Sequence, residues 1–260
     1  AQQKKICFVA GQDSHGRGAH AFVSGCTLLA ALLNENLPGV DAVVHAGGWP
    51  EDPAFFDGAA AIVIFSDGLE KHPAAPHFDD LQEYWEKGTG IACLHFAILP
   101  PEGEGKRFLD WMGGYYQTHW SVNPFWTAEF KSLPSHPVTR GVQPFSILDE
   151  WYFHMTFREG MKGVVPVLSA HPPAGTLKQK DGPHSGNPAV RAALKHGEIQ
   201  HVAWVSESNK GGRGFGFTGG HYHRNWKDDN FRKLVLNAIA WITKVEVPAE
   251  GIPSRAPVDE

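Results

Sequence analysis

Several histidines stand directly after short apolar runs, where a chain that has been crossing the interior first meets solvent. His15 and His20 follow the run at residues 5–10, His95 follows 90–94, and His221 with His223 follows 214–218. Asp67 stands in the same relation to 59–65. Imidazole near neutral pH is either a metal ligand or a proton carrier, and a carboxylate beside it can orient it or take its proton. The candidates lie far apart in the chain, unlike a His-x-x-x-His pair on one helix, so only the fold can bring them together.

The elements that must do so are legible as periodicity. Residues 5–10, 59–65 and 90–94 are almost wholly apolar, as strands covered on both faces are. Between them Phe22, Leu28, Leu29, Leu32 and Leu33 recur at helical spacing until Asn34 and Pro38. A short strand at 42–45 ends at Gly47-Gly48, and 78–87 reads as a helix. Residues 115–169 are rich in Trp, Phe and Pro and alternate apolar with polar, which predicts antiparallel strands and long loops. Strand character resumes at 201–205 and 214–218, and Phe231, Leu234, Val235, Ala238, Ile239 and Ile242 form one helical stripe. Strands separated by helices predict an α/β fold, a doubly wound and mostly parallel sheet. We assign one domain to 1–247, with an aromatic-rich β/loop insertion at about 115–170 and a surface arm at 248–260. In such sheets ligands bind beyond the carboxyl ends of the strands, so the residues named above should converge.

His95 follows five small or apolar residues and precedes Phe96-Ala97, the place where a nucleophile elbow presents a side chain above the sheet. A capping histidine bonded to backbone is the plainer alternative. Asp149 and Glu150 are neighbours in an aromatic strand, and adjacent strand residues face opposite ways, so only one can enter a pocket. The other reading of Glu150 is a surface carboxylate paired with Arg140 or Arg158. Asp67 binds a sugar hydroxyl or only closes an Asx turn. Trp120, Trp126, Trp151 and Trp226 lie near these residues in sequence, as platforms for sugar rings or as packing.

The run Ala92-Cys93-Leu94-His95-Phe96-Ala97 resembles the Leu-His-Ser/Phe-Ala elbow of ThuA-like (trehalose-utilisation) proteins. These are relatives of the class I glutamine amidotransferases in which histidine replaces the elbow cysteine. Four further segments agree in order: Gly113-Gly114-Tyr115-Tyr116-Gln117-Thr118-His119, His136-Pro137-Val138-Thr139-Arg140-Gly141, Asp149-Glu150-Trp151-Tyr152, and Gly219-Gly220-His221 followed by Trp226 and Phe231-Arg232-Lys233-Leu234. The resemblance spans nearly the whole chain and implies a flavodoxin-like sheet and a role in carbohydrate metabolism. It also implies His15, His95, His119 and His221 as ligands of a divalent metal, zinc first, with manganese or iron as alternatives. Three imidazoles and an open position suit a catalytic ion. The resemblance favours Glu150 over Asp149 in the pocket, as ligand or general base. His20 and Asp67 are further catalytic candidates, and Trp120, Trp126, Tyr152, His223 and Trp226 are candidate substrate contacts.

Composition narrows the classes. The net charge is −5, and no run of Lys or Arg is dense enough to track a phosphate backbone, so nucleic acid is not an expected partner. The longest apolar stretch, Ala59–Phe65, falls far short of the roughly 20 residues that cross a membrane. Cys7, Cys26 and Cys93 sit in apolar surroundings at unrelated spacings, as buried hydrophobes rather than a disulfide framework. Cys93 lies inside the strand before the elbow, a poor place for a nucleophilic thiolate. The start, Ala-Gln-Gln-Lys-Lys, looks like the end left by signal-peptide cleavage, so a periplasmic or secreted location is expected, with the cytoplasm as alternative. A homo-oligomer is compatible with all of this. The reading that follows is a metal-assisted enzyme, not a Cys-dependent amidotransferase. It would act on a small carbohydrate, a sugar or keto-glycoside, by proton abstraction beside a carbonyl with isomerisation, elimination or hydrolysis. The alternative is a carbohydrate-binding protein without catalysis.

Overall fold

The computed structural model describes residues 3–209 and 211–256. Ala1 and Gln2 of the cleavage-like start, and the last four residues of the tail, lie outside them. In chain order the elements are β1 (Lys4–Ala10), α1 (Phe22–Asn36), β2 (Val40–Ala46), β3 (Ala59–Phe65), α2 (Phe78–Glu86), β4 (Gly90–Leu94), α3 (Gly105–Met112), β5 (Gly114–Tyr115), β6 (Trp126–Phe130), β7 (Phe145–Asp149), β8 (Thr156–Phe157), β9 (Val164–Ala170), α4 (Pro188–Lys195), β10 (Gln200–Glu207), β11 (Arg213–Phe217) and α5 (Asp229–Ile242).

Among the described residues the main sheet has seven strands in the order β2-β1-β3-β4-β11-β10-β9. The pairs from β2 to β11 are parallel, and β10 runs antiparallel to both its neighbours. Read from β2 to β11 this is the 2-1-3-4-5 order of a flavodoxin-like sheet. The two faces of each central strand bury different halves of the core, because successive side chains alternate. Ile6, Phe8, Ala61, Val63, Ala92 and Leu94 pack on the face covered by α1 and α5. Cys7, Val9, Ile62, Ile64, Ile91 and Cys93 pack on the face covered by α2 and α3. The near-continuous apolar runs are thus explained by helices on both sides.

Strands β3 and β4 have the bounds that their sequences predict, and α1, α2 and α5 form where the apolar stripes lie. The aromatic middle does contain antiparallel strands: β5 pairs with β8, and β6 with β7. It is not wholly separate from the main sheet, however, since its last strand, β9, forms the edge beside β10. The short helix α4, which was not among the predicted elements, buries Val190 and Ala193 and is capped by Asn187, whose Oδ1 accepts from the Val190 amide at 3.0 Å.

The expectation of a surface arm from Pro248 is corrected for its described part. Ile252 is 0% exposed, and its amide donates to Asn237 Oδ1 at 2.9 Å. The fully buried Arg232 of α5 donates from Nε to Ser254 Oγ at 2.8 Å and from Nη2 to the Ser254 carbonyl at 3.0 Å. One isoleucine and two anchoring polar groups outweigh the polar composition around them. Among the described residues no helix is long and apolar enough to cross a membrane. Replacing Ile252 by Ala should therefore lower stability by about 2–4 kcal/mol, as for other buried isoleucines. Urea unfolding measures it, and an unchanged midpoint would show the tail to be undocked in solution.

Candidate functional site

Strands β1, β3, β4 and β11 deliver their loops to one edge of the sheet, and the convergence expected there occurs. His95 opens a short 3₁₀ turn directly after β4 with φ +54°. His15 and His20 also hold left-handed backbone, at φ +63° and +42°. Such conformations cost a non-glycine residue roughly 1–2 kcal/mol and persist only where surrounding contacts impose them. Gly220, at φ +109°, turns the chain after β11, and the His20 amide donates to the His221 carbonyl at 3.0 Å, tying the two loops together.

Four side chains then meet. His20 Nε2 lies 3.1 Å from His95 Nε2 and 3.1 Å from His221 Nδ1. Glu150 Oε2 lies 3.0 Å from His221 Nδ1 and 3.4 Å from His95 Nε2. All four residues are buried, and their donor atoms fall within 4.8 Å of one another. Outer partners fix the rings. His95 Nδ1 donates to the Thr218 carbonyl at 2.8 Å, which turns Nε2 toward the cluster. His20 Nδ1 lies 3.1 Å from Asp67 Oδ1, which Ser14 Oγ also approaches at 2.8 Å. The Asp67 carboxylate can only accept, so the His20 ring presents a bare Nε2 to the cluster. Tyr152 places its hydroxyl 3.1 Å from His95 Nε2.

The charges follow from this packing. Burial presses the His20 pKa down to about 4, against the pull of Asp67 and with the help of the neighbouring imidazoles. Glu150 is penalised by burial, yet its hydrogen bonds to His221 and His95 overcome that and hold it at about 2. At neutral pH it is an anion, too acidic for an efficient general base. Burial, with Glu150 alongside, raises the Tyr152 hydroxyl well above its ordinary range, so it stays protonated. Burial opposes ionisation of Asp67 too, but bonds to His20 and Ser14 lower its pKa.

Asp149 and Glu150 divide their labour as opposite-facing neighbours. Asp149 is fully buried and accepts from the amides of Gly220 at 2.9 Å and His221 at 3.1 Å, and from Asn225 Nδ2 at 2.9 Å. It holds the backbone of His221, while Glu150 holds its ring.

Other candidates fall elsewhere. His15 is exposed at the mouth, its ring centroid 3.8 Å from that of His20 and its Nδ1 2.9 Å from Ser14 Oγ; with His20 and Asp67 it forms a second, outer group. His119, expected as a ligand, stands apart: its amide donates to the Pro183 carbonyl at 2.8 Å, anchoring the segment before α4. Trp226, expected at substrate, is buried beneath the site against Phe65 and Phe231. Trp126 is mostly buried and gives its indole N–H to the Trp151 carbonyl at 2.8 Å, but it does line the cavity beside Glu150. Trp120 is exposed but lies on the ring of His154, not on the cluster. His223 does not reach the cluster; its Nδ1 is buried without a hydrogen-bond partner among the described residues. Cys93 is fully buried, and burial pushes its thiol far up, which argues against nucleophilic use. Sequence reasoning passed over Ser14, Asn123 and Phe125. Asn123 Nδ2 donates to Glu150 Oε1 at 3.2 Å, and Phe125 sets its ring edge-on to His221 at 4.8 Å. Only Ser14, inside the His-rich loop, carried a signal in its neighbours.

The sequence matches the ThuA family, described as trehalose utilisation, over residues 15–242. The chain belongs to the ThuA family. That description connects it with carbohydrate utilisation. The fold is shared with a ThuA-like protein of Bacteroides uniformis, 19% identical, with 93% of this chain and 92% of that one covered at a TM-score of 0.61. A second ThuA-like protein, from Parabacteroides merdae, is 14% identical over 98% of this chain and 94% of the other, at a TM-score of 0.56. No curated protein matches the sequence. Within this ThuA chain the elbow histidine is His95, and the segments around it supply the other three members of the cluster.

Two outcomes test the geometry. His20, held at about 4, and the fully buried His72, which burial also holds at about 4, are neutral in the folded chain but take up protons near 6.5 when unfolded. The unfolded state therefore binds more protons between those values, and stability falls as pH drops from about 6.5 to about 4. A urea midpoint constant over that window in metal-free protein would refute the neutral-ring arrangement. Separately, Asp149→Asn leaves a buried amide hydrogen without an acceptor, costing about 1–3 kcal/mol, and should shift the His221 ring resonances in NMR spectra. Unmoved resonances would show that Asp149 does not place His221.

Proposed function

We propose that this ThuA-family chain is a divalent-metal-dependent enzyme acting on a sugar or keto-glycoside. What supports the reading is the spacing of His20 Nε2, His95 Nε2, His221 Nδ1 and Glu150 Oε2. Donors about 2.1 Å from a shared ion, at angles between square and tetrahedral, stand about 2.9–3.4 Å apart. The four contacts here measure 3.0–3.4 Å. The donor chemistry fits as well: imidazole and carboxylate suit zinc, and manganese or iron also accept such a set. Asp67 behind His20 and the Thr218 carbonyl behind His95 are the outer partners that orient ligand histidines. For His221 Nδ1, which lies against Glu150 Oε2, to serve as a ligand atom, the ring would have to carry its proton on Nε2. A cation held there would supply Lewis-acid polarisation of a substrate carbonyl or of a water.

The chain's own groups supply the rest. Glu150, anionic and acidic, acts as a ligand. Tyr152 keeps its proton and can donate a hydrogen bond to a substrate oxygen that displaces His95 Nε2 as its partner. His15, outside the four donors and facing solvent, is placed to move a proton at the mouth, with Ser14 Oγ on its Nδ1. This exchanges the expected duties of His15 and His20.

Elemental analysis of the purified protein should find about one zinc, manganese or iron per chain, and His95→Ala or His221→Ala should abolish it. Asp67→Asn should weaken the metal ten- to a hundredfold. Turnover of a keto-glycoside should vanish on chelation and return with metal. Undiminished turnover in metal-free protein, or sugar binding that ignores both histidine substitutions with no turnover by the parent, would overturn the proposal.

A further inference from the structure

A cavity of about 800 Å³ opens beside Glu150, between the stretch that carries Asn123 and Phe125 and the segment that carries Gln179 and His184. It is continuous with the cluster through two residues. Glu150 turns Oε2 to the histidines and lines the cavity as well. Phe125, 48% exposed, sets its ring against His221 at 4.8 Å while forming part of the cavity wall. The far wall is tied down: the Tyr116 hydroxyl meets His184 Nδ1 at 3.0 Å, and the Asn123 amide donates to the His184 carbonyl at 3.1 Å.

Pockets of about 300–1,000 Å³ accommodate molecules of several rings, so a volume of 800 Å³ exceeds what one sugar ring at the cluster needs. The wall offers one exposed aromatic face with amides and hydroxyls around it. A pyranose satisfies both, laying its C–H face on an aromatic ring and giving its hydroxyls to the polar groups. A flat aryl group would leave those polar groups without partners, at a cost of about 1–3 kcal/mol for each one buried. We infer that this cavity is the subsite for the second, hydroxylated ring of a glycoside whose first ring is handled at the histidine cluster, with Phe125 as the residue that selects for it. The inference rests on the cluster being where a sugar reacts, and it adds the length and character of the substrate.

Calorimetric titration in the presence of zinc, with trehalose, cellobiose, glucose and phenyl glucoside as probes, tests it without need of turnover. At least one disaccharide should bind ten times or more as tightly as glucose. That ratio should fall below two in Phe125→Ala and be retained in Phe125→Trp, which keeps an aromatic face at an exposed position. Equal affinity for glucose and both disaccharides, a ratio that survives Phe125→Ala, or tighter binding of phenyl glucoside than of either disaccharide would overturn the assignment. Metal content measured on the same samples separates the two proposals: a disaccharide preference in protein that takes up no divalent ion supports the subsite and refutes the metal chemistry.

Discussion

Three imidazoles and a carboxylate stand within hydrogen-bond distance of one another in a buried space, and this crowding limits how much positive charge the rings can hold together. Two imidazolium ions about 3 Å apart and out of water would repel by several kcal/mol even at an effective dielectric constant near 20. The fold therefore has to prescribe which nitrogen of each ring carries its proton. It does so with acceptors that lie outside the cluster, the Thr218 carbonyl behind His95 and the Asp67 carboxylate behind His20. The same arrangement turns Nε2 of both rings toward a common point.

The backbone carries a matching strain. His15, His20 and His95 are all left-handed, at positions where a glycine would have been easier but would have brought no imidazole. The sheet supplies what holds them: β4 and β11 are buried on both faces, and α1, α2, α3 and α5 clamp them. The rigid doubly wound core and the strained loop residues are two sides of one design, since only a well-packed platform can keep unfavourable dihedral angles in place.

Much of this was legible in the sequence because it depends on periodicity. The apolar runs ending at Ala10, Phe65, Leu94 and Phe217 mark the strands, and the strand-end rule picks out His20, Asp67, His95 and His221. Glu150 could be preferred over Asp149 only through the family resemblance, but that just one of them enters the pocket follows from strand geometry alone. The rest depends on contacts between residues far apart in sequence. Nothing local says that the His119 ring stays out of the cluster, or that Trp226 lies under the site rather than lining it. Phe125 looks like any aromatic residue in an aromatic stretch until its ring is seen against His221. The tail misled for the opposite reason: its polar composition hid the single side chain, Ile252, that docks it.

The pairing of Asp149 and Glu150 has a consequence for how this chain can change length. Asp149 closes β7 and Glu150 follows it directly, so a shift by one position would take both carboxylates away from the His221 segment that they hold. The connection between β6 and β7, residues 131–144, lies outside both strands, yet it too is held in place, since Val138 is fully buried and its carbonyl accepts from Asn237 Nδ2 at 3.0 Å. Between Phe145 and Glu150 the spacing is fixed to the residue, and a single indel there would dismantle both grips on His221 at once.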